Sequence, residues 1–334
     1  MKKLLDRAIP HAIKTLKNGF GAWLFVAKMT IPAMIITRLM LYFDLIPYVA
    51  KIFEPIVHLT GLPPEASLIL VGGMVGNLYV ALAVFLSLMN VMVPLTLIQA
   101  TTLGAMCLVA HSLIVEGQVC KATGLSFWRV TIFRIVSSII LGILIHQSGQ
   151  LFPWGSEPAA MMVGVMEFSA DPVPPWLQWG LDCVKQLLMM LALVEVLMLF
   201  MELIKASGLT RLVSKVLGPV LKLAGVGESA VMVTIIGCVV GLSFGGGLIV
   251  AESRSGNIPP RDIYGAMMLM AAFHSLFEDT ALMWLLGGSL WGLVGARLAF
   301  AMILVGLVTR LARRPAWQPV LVGKGLKFVE DPAK

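Results

Sequence analysis

The sequence has few charged residues for its size. Of its 334 residues only 13% are charged, whereas 58% are hydrophobic, and the mean hydropathy is +0.92. A soluble domain of this length has too small a core to bury that much apolar surface. No charged residue occurs between Glu65 and Glu116, a stretch long enough for two membrane spans of about 20 residues each. We therefore predict an all-α polytopic membrane protein.

Several functional signatures are also missing. No Gly-x-x-x-x-Gly-Lys-[Ser/Thr] loop or His-Glu-x-x-His helix occurs, which argues against nucleotide-driven pumping and against metalloprotease chemistry. The net charge of +7 is not gathered in a basic domain, so nucleic acid is not an expected partner. The cysteines have no paired spacing, which predicts neither a disulfide framework nor a zinc knuckle. They are Cys107, Cys120, Cys183 and Cys238.

The two halves of the sequence match each other at an almost constant offset. Such self-similarity indicates an internal repeat, and we assign membrane repeats to residues 19–149 and 180–312. The matched pairs, all 163 to 165 residues apart, are Pro55 with Pro219, Gly61 with Gly225, Gly72 with Gly237, Gly76 with Gly241, His111 with His274 and Arg134 with Arg297.

The remaining segments predict the orientation in the membrane. Residues 150–179 are rich in proline and tryptophan and lack lysine and arginine, which is typical of an external linker. Both chain ends are basic and should be cytoplasmic, with 1–18 as an amphipathic interfacial helix and 313–334 as a tail. Each repeat then starts and ends on opposite sides and crosses an odd number of times. This predicts two repeats of inverted topology.

Each repeat contains four apolar segments, so one of them should not cross. We expect a re-entrant hairpin in the third segments, residues 95–115 and 263–287, because these carry the polar groups. That choice leaves Lys51, Arg254 and Arg261 on the external side. Interfacial amphipathic helices are expected between the first and second segments.

The third segments contain the densest set of ionisable residues, and such groups at membrane depth normally face the protein interior or a wet cavity. His274 and Glu278, four apart, would share a helix face, whereas His111 and Glu116, five apart, would do so only across a break. The groups suit hydrogen bonding to a polar solute, cation coordination or proton relay; a buried network that fastens the hairpin is the alternative. The predicted site residues are His111, Ser112, Glu116, His274, Ser275, Glu278 and Asp279.

Glycine-rich stretches in the second segments add further predictions. Three successive glycines, Gly245 to Gly247, are poor helix formers, and unwinding there would free backbone groups for a solute, as in discontinuous transporter helices. The Gly72-x-x-x-Gly76 and Gly237-x-x-x-Gly241 pairs are also typical of close helix packing. The additional predicted site residues are Asn77, Ser243, Gly245 and Gly246.

The paired His-Ser-Leu groups with trailing acids and the glycine-rich second segments resemble the nucleoside-recognition or gate domain family of bacterial membrane proteins. That family is similar to concentrative nucleoside transporters, the membrane region of ferrous-iron transporter B and spore-maturation membrane proteins. The resemblance implies inverted repeats, re-entrant hairpins and a central site in which Glu116, Glu278 and Asp279 contact the solute. The GTPase domain of the iron transporter is missing, which argues against iron import by that route.

We therefore expect a secondary transporter or facilitator of a small polar solute, nucleoside-like or a cation, in the bacterial cytoplasmic membrane. The expected partners are that solute and the lipid bilayer, and a homo-oligomer or a membrane partner stays open; no enzymatic activity, cofactor or assigned metal ligand is predicted. Two other classes stay open. One is a non-transporting membrane module that acts through a partner protein, and the other is an intramembrane metal enzyme using His274 and Glu278.

Overall fold

The computed structural model describes residues 2–162, 171 and 173–322, and these residues are almost entirely helical. The first half begins with a long helix and a short one, continues with two interrupted segments and ends with a second long helix. In order, the helices are α1 (Lys2–Tyr42), α2 (Ile46–Thr60), α3 (Ala66–Val75), α4 (Leu78–Leu88), α5 (Leu97–Ala110), α6 (Leu113–Ala122) and α7 (Phe127–Leu151).

The second half has the same order of elements. Its last long helix starts with a π-helical turn, Trp291–Ala296, that continues directly into α14. The helices are α8 (Trp176–Ala206), α9 (Leu209–Leu223), α10 (Glu228–Val240), α11 (Leu242–Ser255), α12 (Pro260–Ala272), α13 (Glu278–Leu285), α14 (Arg297–Ala312) and α15 (Gln318–Leu321).

Within the part of the chain that the structure describes, five stretches are long and apolar enough to cross a membrane. They establish a multi-pass α-helical membrane protein, because about 20 apolar residues span the hydrocarbon layer. The stretches are Leu16–Tyr42, Leu97–Ala122, Phe127–Leu151, Trp176–Ile204 and Trp291–Ala312.

The first helix corrects one expectation. A separate helix was expected to end at residue 18, but α1 runs without a break from Lys2 to Tyr42. At about 1.5 Å per residue it is roughly twice as long as the hydrocarbon layer is thick. Only its later part, Leu16–Tyr42, has the composition of a membrane span. The interfacial position of residues 1–18 stays a prediction.

The hairpins lie in the second segments, not in the third. The helices α3 and α4 pack side by side, as do α10 and α11. A Cβ added to Gly73 would lie 3.3 Å from Ala81 Cβ, and one added to Gly72 would lie 3.2 Å from Val84 Cγ2. The glycines therefore allow two helices to approach closely in a tight antiparallel pair.

The turns of these hairpins differ in sequence. Asn77 caps α4 by accepting a hydrogen bond from Val80 N at 3.0 Å, immediately after Gly76. In the second half the turn lies at Gly241, whose φ of 112° favours glycine. The helix α11 then runs through Gly245 to Gly247, so the expected unwinding at the three glycines is wrong and the break comes one turn earlier.

Each third segment is an interrupted helix, because its break does not reverse the chain. Along α7, Ser138 Oγ donates to Met106 O in α5 at 3.0 Å. Near the start of α7, the Phe127 ring packs against Gly117 of α6. The helices α5 and α6 thus follow α7 from one end to the other, and the predicted re-entrant hairpin at residues 95–115 is wrong. Polarity predicted the break, and close packing at Gly72 and Gly73 allows the chain to reverse in the second segment of the first half.

The interrupted helices cross between two apolar clusters. The first cluster contains α5 together with Leu282 and Met283 of α13. The second contains α12 together with Cys120 of α6. Each interrupted helix therefore starts in one half and ends in the other. The two breaks meet where the helices cross.

The two ends of the helix bundle have different neighbours. At one end, the linker end, Leu97 N donates to Glu157 O at 2.8 Å and Met162 N donates to Leu285 O at 3.0 Å. At the other, the tail end, the Arg129 guanidinium donates to the carbonyls of Pro319 and Val320 at 2.8 and 2.7 Å. The helix α7 runs between these ends, so the linker and the residues after α14 lie on opposite sides of the bundle.

Candidate functional site

Two histidines lie at the crossing helix breaks. His111 follows α5, and His274 lies between α12 and α13. Each uses Nδ1 to contact the carbonyl four residues earlier: His111 contacts Cys107 O at 3.0 Å, and His274 contacts Met270 O at 2.6 Å. A carbonyl only accepts hydrogen bonds, so each Nδ1 carries a hydrogen. In the neutral rings Nε2 is then an acceptor.

The two Nε2 atoms and one carboxylate oxygen come together. The His111 and His274 Nε2 atoms are 3.3 Å apart. Glu116 Oε1 lies 3.1 Å from His274 Nε2 and 3.3 Å from His111 Nε2. We call these atoms the three-acceptor cluster. Asp279 Oδ2 approaches from the side, 3.4 Å from His111 Nε2.

This arrangement corrects the expected pairing of the acids. His111 does meet Glu116, since the helix breaks between them. His274, however, precedes α13, which begins only at Glu278, so the two do not share a helix face. His274 contacts Glu116 of the other half instead.

Two buried arginines hold the breaks in place. Arg134 Nη1 lies 2.5 Å from Glu116 Oε2, while its Nε donates to Val109 O at 2.8 Å. Arg297 donates to three carbonyls, Ala272 O at 3.3 Å, Leu108 O at 3.3 Å and His274 O at 2.9 Å. The side chains are 1% and 0% exposed. They satisfy carbonyls that the helix ends leave without an intrahelical partner.

Backbone hydrogen bonds join the breaks to the hairpins. Ser112 N donates to Gly73 O at 2.9 Å, and Leu276 N donates to Cys238 O at 2.8 Å. Ser112 and Ser275 have nearly the same left-handed φ, 48° and 50°. Such a conformation is strained for serine. Equivalent positions in the two halves therefore have equivalent local geometry.

A cavity of about 280 Å³ opens beside the cluster. Eight of the eleven predicted site residues line it, and so do Gly76 and Gly241 at the hairpin turns and Phe25 and Met29 of α1. The eight are Asn77, His111, Ser112, Glu116, His274, Ser275, Glu278 and Asp279. The other three predicted residues, Ser243, Gly245 and Gly246, lie outside the residues described at side-chain level.

Sequence reasoning missed Tyr79. Its hydroxyl donates to Glu278 Oε1 at 3.5 Å across the cavity, so it joins the first half to the second. The sequence gives only a weak indication of this role: Tyr79 has a polar hydroxyl in a stretch without charged residues, two residues after Asn77. Asn77 was predicted to contact a solute, and its side chain both caps α4 and approaches Met29 Sδ at 3.7 Å.

The apolar helices and the buried ionisable cluster beside an open cavity define a multi-pass α-helical membrane protein with an internal polar site. Over 317 residues the chain is 25% identical to the uncharacterized membrane protein YvoD of Bacillus subtilis (strain 168), a match that covers 92% of this chain and 96% of the relative. No protein-family model and no solved structure matches the chain.

Proposed function

We propose that the protein is a secondary transporter or facilitator of a small polar solute, nucleoside-like or a cation, with its binding site at the crossing of the two interrupted helices. The observation that carries this proposal is the contact of His111 and Glu116 from one half with His274 from the other, beside a cavity. A site between two repeats and at broken helices is the arrangement by which many secondary transporters bind their solute. The gate-domain resemblance is part of this proposal.

The proposed topology has two inverted halves. With hairpins in the second segments, each half crosses three times, the first through α1, α5–α6 and α7 and the second through α8, α12–α13 and α14. Five of these crossings are the long apolar stretches given above, and the sixth, α12–α13, is interrupted between Ala272 and Glu278. Three crossings place the start and end of each half on opposite sides. With the linker end outside, both termini are cytoplasmic.

The charge distribution supports this orientation. Arg261, in the first turn of α12, was expected outside while the hairpin was assigned to the third segment. With the hairpin at α10–α11 it moves to the tail end, where Lys121, Lys215 and Lys222 also lie. Among these four residues and Lys51, only Lys51 is then external, which is the bias that the positive-inside rule favours.

The polar cavity suits alternating access. Buried acids and imidazoles offer a desolvated solute the hydrogen bonds or charges that water supplied. The hairpin turns at Gly76 and Gly241 border the cavity. Movement of either hairpin would open the site toward its own side of the membrane.

A transport assay tests the proposal. Nucleosides, nucleobases and divalent cations are first screened for a rise in thermal stability, because a ligand of the folded state stabilises it. Each stabilising compound is then offered to proteoliposomes containing the full chain. We expect uptake above that of empty liposomes, and at least a tenfold loss in Asp279→Asn, which leaves the Glu116 to Arg134 pair intact.

The matched control is Glu54→Gln, an exposed acid on α2, which should leave uptake unchanged. If no compound in the screen enters proteoliposomes faster than empty vesicles, the proposed function is wrong. Uptake that survives both Asp279→Asn and the double change Glu116→Gln with Glu278→Gln would show that the site is elsewhere.

A further inference from the structure

We infer that the three-acceptor cluster binds a divalent transition-metal ion of the zinc class, with His111 Nε2, His274 Nε2 and Glu116 Oε1 as its ligands. The inference names the ligand of the central site, and it rests on the proposed function only in treating this ion as the transported solute. Among the described residues these three side chains form a group whose ligand atoms could all reach one ion.

The direction of the hydrogen bonds at both histidines favours a metal ion. Both Nδ1 atoms donate to backbone carbonyls, so in neutral rings both Nε2 atoms present lone pairs to each other and to the carboxylate. Three acceptors then face one another with no hydrogen between them in a buried place. A single proton would bridge one of the three pairs and leave the other contacts unbridged. One metal ion would bond all three.

The distances between the three atoms also fit a metal ion. The three atoms form a triangle with edges of 3.3, 3.1 and 3.3 Å. A tetrahedron with metal to ligand bonds of about 2.0–2.1 Å has edges of about 3.3–3.4 Å. The triangle is therefore close to one face of a tetrahedral site without any movement of the chain. Calcium bonds of about 2.3–2.6 Å in six- to eightfold oxygen coordination do not fit this set.

Each of the three ligand side chains is also held in place by a second contact. Metal-binding histidines usually donate their other ring N–H to a carbonyl or carboxylate, which fixes the ring and its tautomer. Both histidines do so here. The second oxygen of Glu116 is held by Arg134 at 2.5 Å, which leaves Oε1 directed at the cluster.

The types of ligand atom indicate which ion fits, and the unfilled fourth coordination position indicates how the ion could enter and leave. Two imidazoles and a carboxylate suit zinc and neighbouring divalent metals better than magnesium, which prefers oxygen alone. Three protein ligands leave a fourth position for an exchangeable group, unlike closed structural sites. Asp279 borders the cavity 3.4 Å from His111 Nε2, where its carboxylate can take that position during entry or release.

Metal binding to the purified full chain tests this inference. The protein in detergent is stripped with a chelator, incubated with Zn²⁺ and freed of excess, and its metal content is measured by mass spectrometry. We expect about one ion per chain, as a three-ligand site requires. His111→Ala and His274→Ala should each weaken zinc binding more than 100-fold. The matched control His58→Ala changes an exposed histidine on α2 and should bind as the unmodified protein does.

A spectroscopic measurement covers the case in which a variant fails to fold. Co²⁺ bound to the unmodified protein should show the intense visible absorption of a tetrahedral site, and zinc X-ray absorption should show nitrogen and oxygen ligands without sulfur. Substoichiometric metal, a thiolate signal, or full binding by folded His274→Ala would overturn the inference. A proton as the sole occupant of the cluster would give the first of these results.

The two proposals fail in different ways. If zinc binds stoichiometrically but neither zinc nor any other solute enters proteoliposomes, the metal site stands and transport is wrong. If an uncharged solute is taken up while the unmodified protein binds no metal, transport stands and the metal site is wrong.

Discussion

Replacing Arg297 by methionine should destabilise the protein strongly. Arg297 is fully buried and donates to carbonyls from both halves, Leu108 O on one side and Ala272 O and His274 O on the other. Methionine fills similar space and removes all three hydrogen bonds. Three bonds at about 0.6 kcal/mol each, an average measured between membrane helices, give about 2 kcal/mol. A freed carbonyl that stays buried without a hydrogen-bond partner costs about 1–3 kcal/mol in addition.

We therefore expect the free energy of unfolding to fall by about 2–5 kcal/mol, the upper part of this range applying where the freed carbonyls find no water. The measurement is reversible unfolding in mixed micelles, followed by tryptophan fluorescence. Arg310→Met is the matched control, because it removes the same side chain from an exposed position on the same helix. A loss for Arg297→Met within about 0.5 kcal/mol of the control would refute the idea that this arginine ties the two breaks together.

Two further predictions concern topology and the hairpin. Cysteines introduced at Ser156 and Ser207, both exposed, should react with impermeant reagents from opposite sides of the membrane; labelling from one side would exclude inverted halves. Gly73→Leu should lower stability by about 1–3 kcal/mol, because a Cβ there already lies 3.3 Å from Ala81 Cβ. Gly218→Leu, where a Cβ meets nothing within 4 Å, serves as its control in thermal unfolding, and equal stabilities would contradict close packing of α3 on α4.

The contrast between the second and third segments shows why the hairpin was misplaced. Intramembrane polarity at His111 and His274 predicted a special segment, and the structure has a helix break at each. Polarity does not specify whether a break reverses the chain. That depends on whether the flanking helices can pack together, which Gly72 and Gly73 permit for α3 and α4. The sequence marked Gly72 and Gly76 as packing positions, but it does not specify which helix packs against them.

By itself the sequence determined the membrane environment, because apolar segments of this length are stable in a lipid bilayer and not in water. It also determined which residues recur in both halves, and eight predicted site residues do line one cavity. Only the tertiary structure decided that His274 contacts Glu116 instead of Glu278. Residues 158 positions apart meet because two interrupted helices cross at their breaks, and that crossing depends on packing between the halves, which has no local signal in the chain.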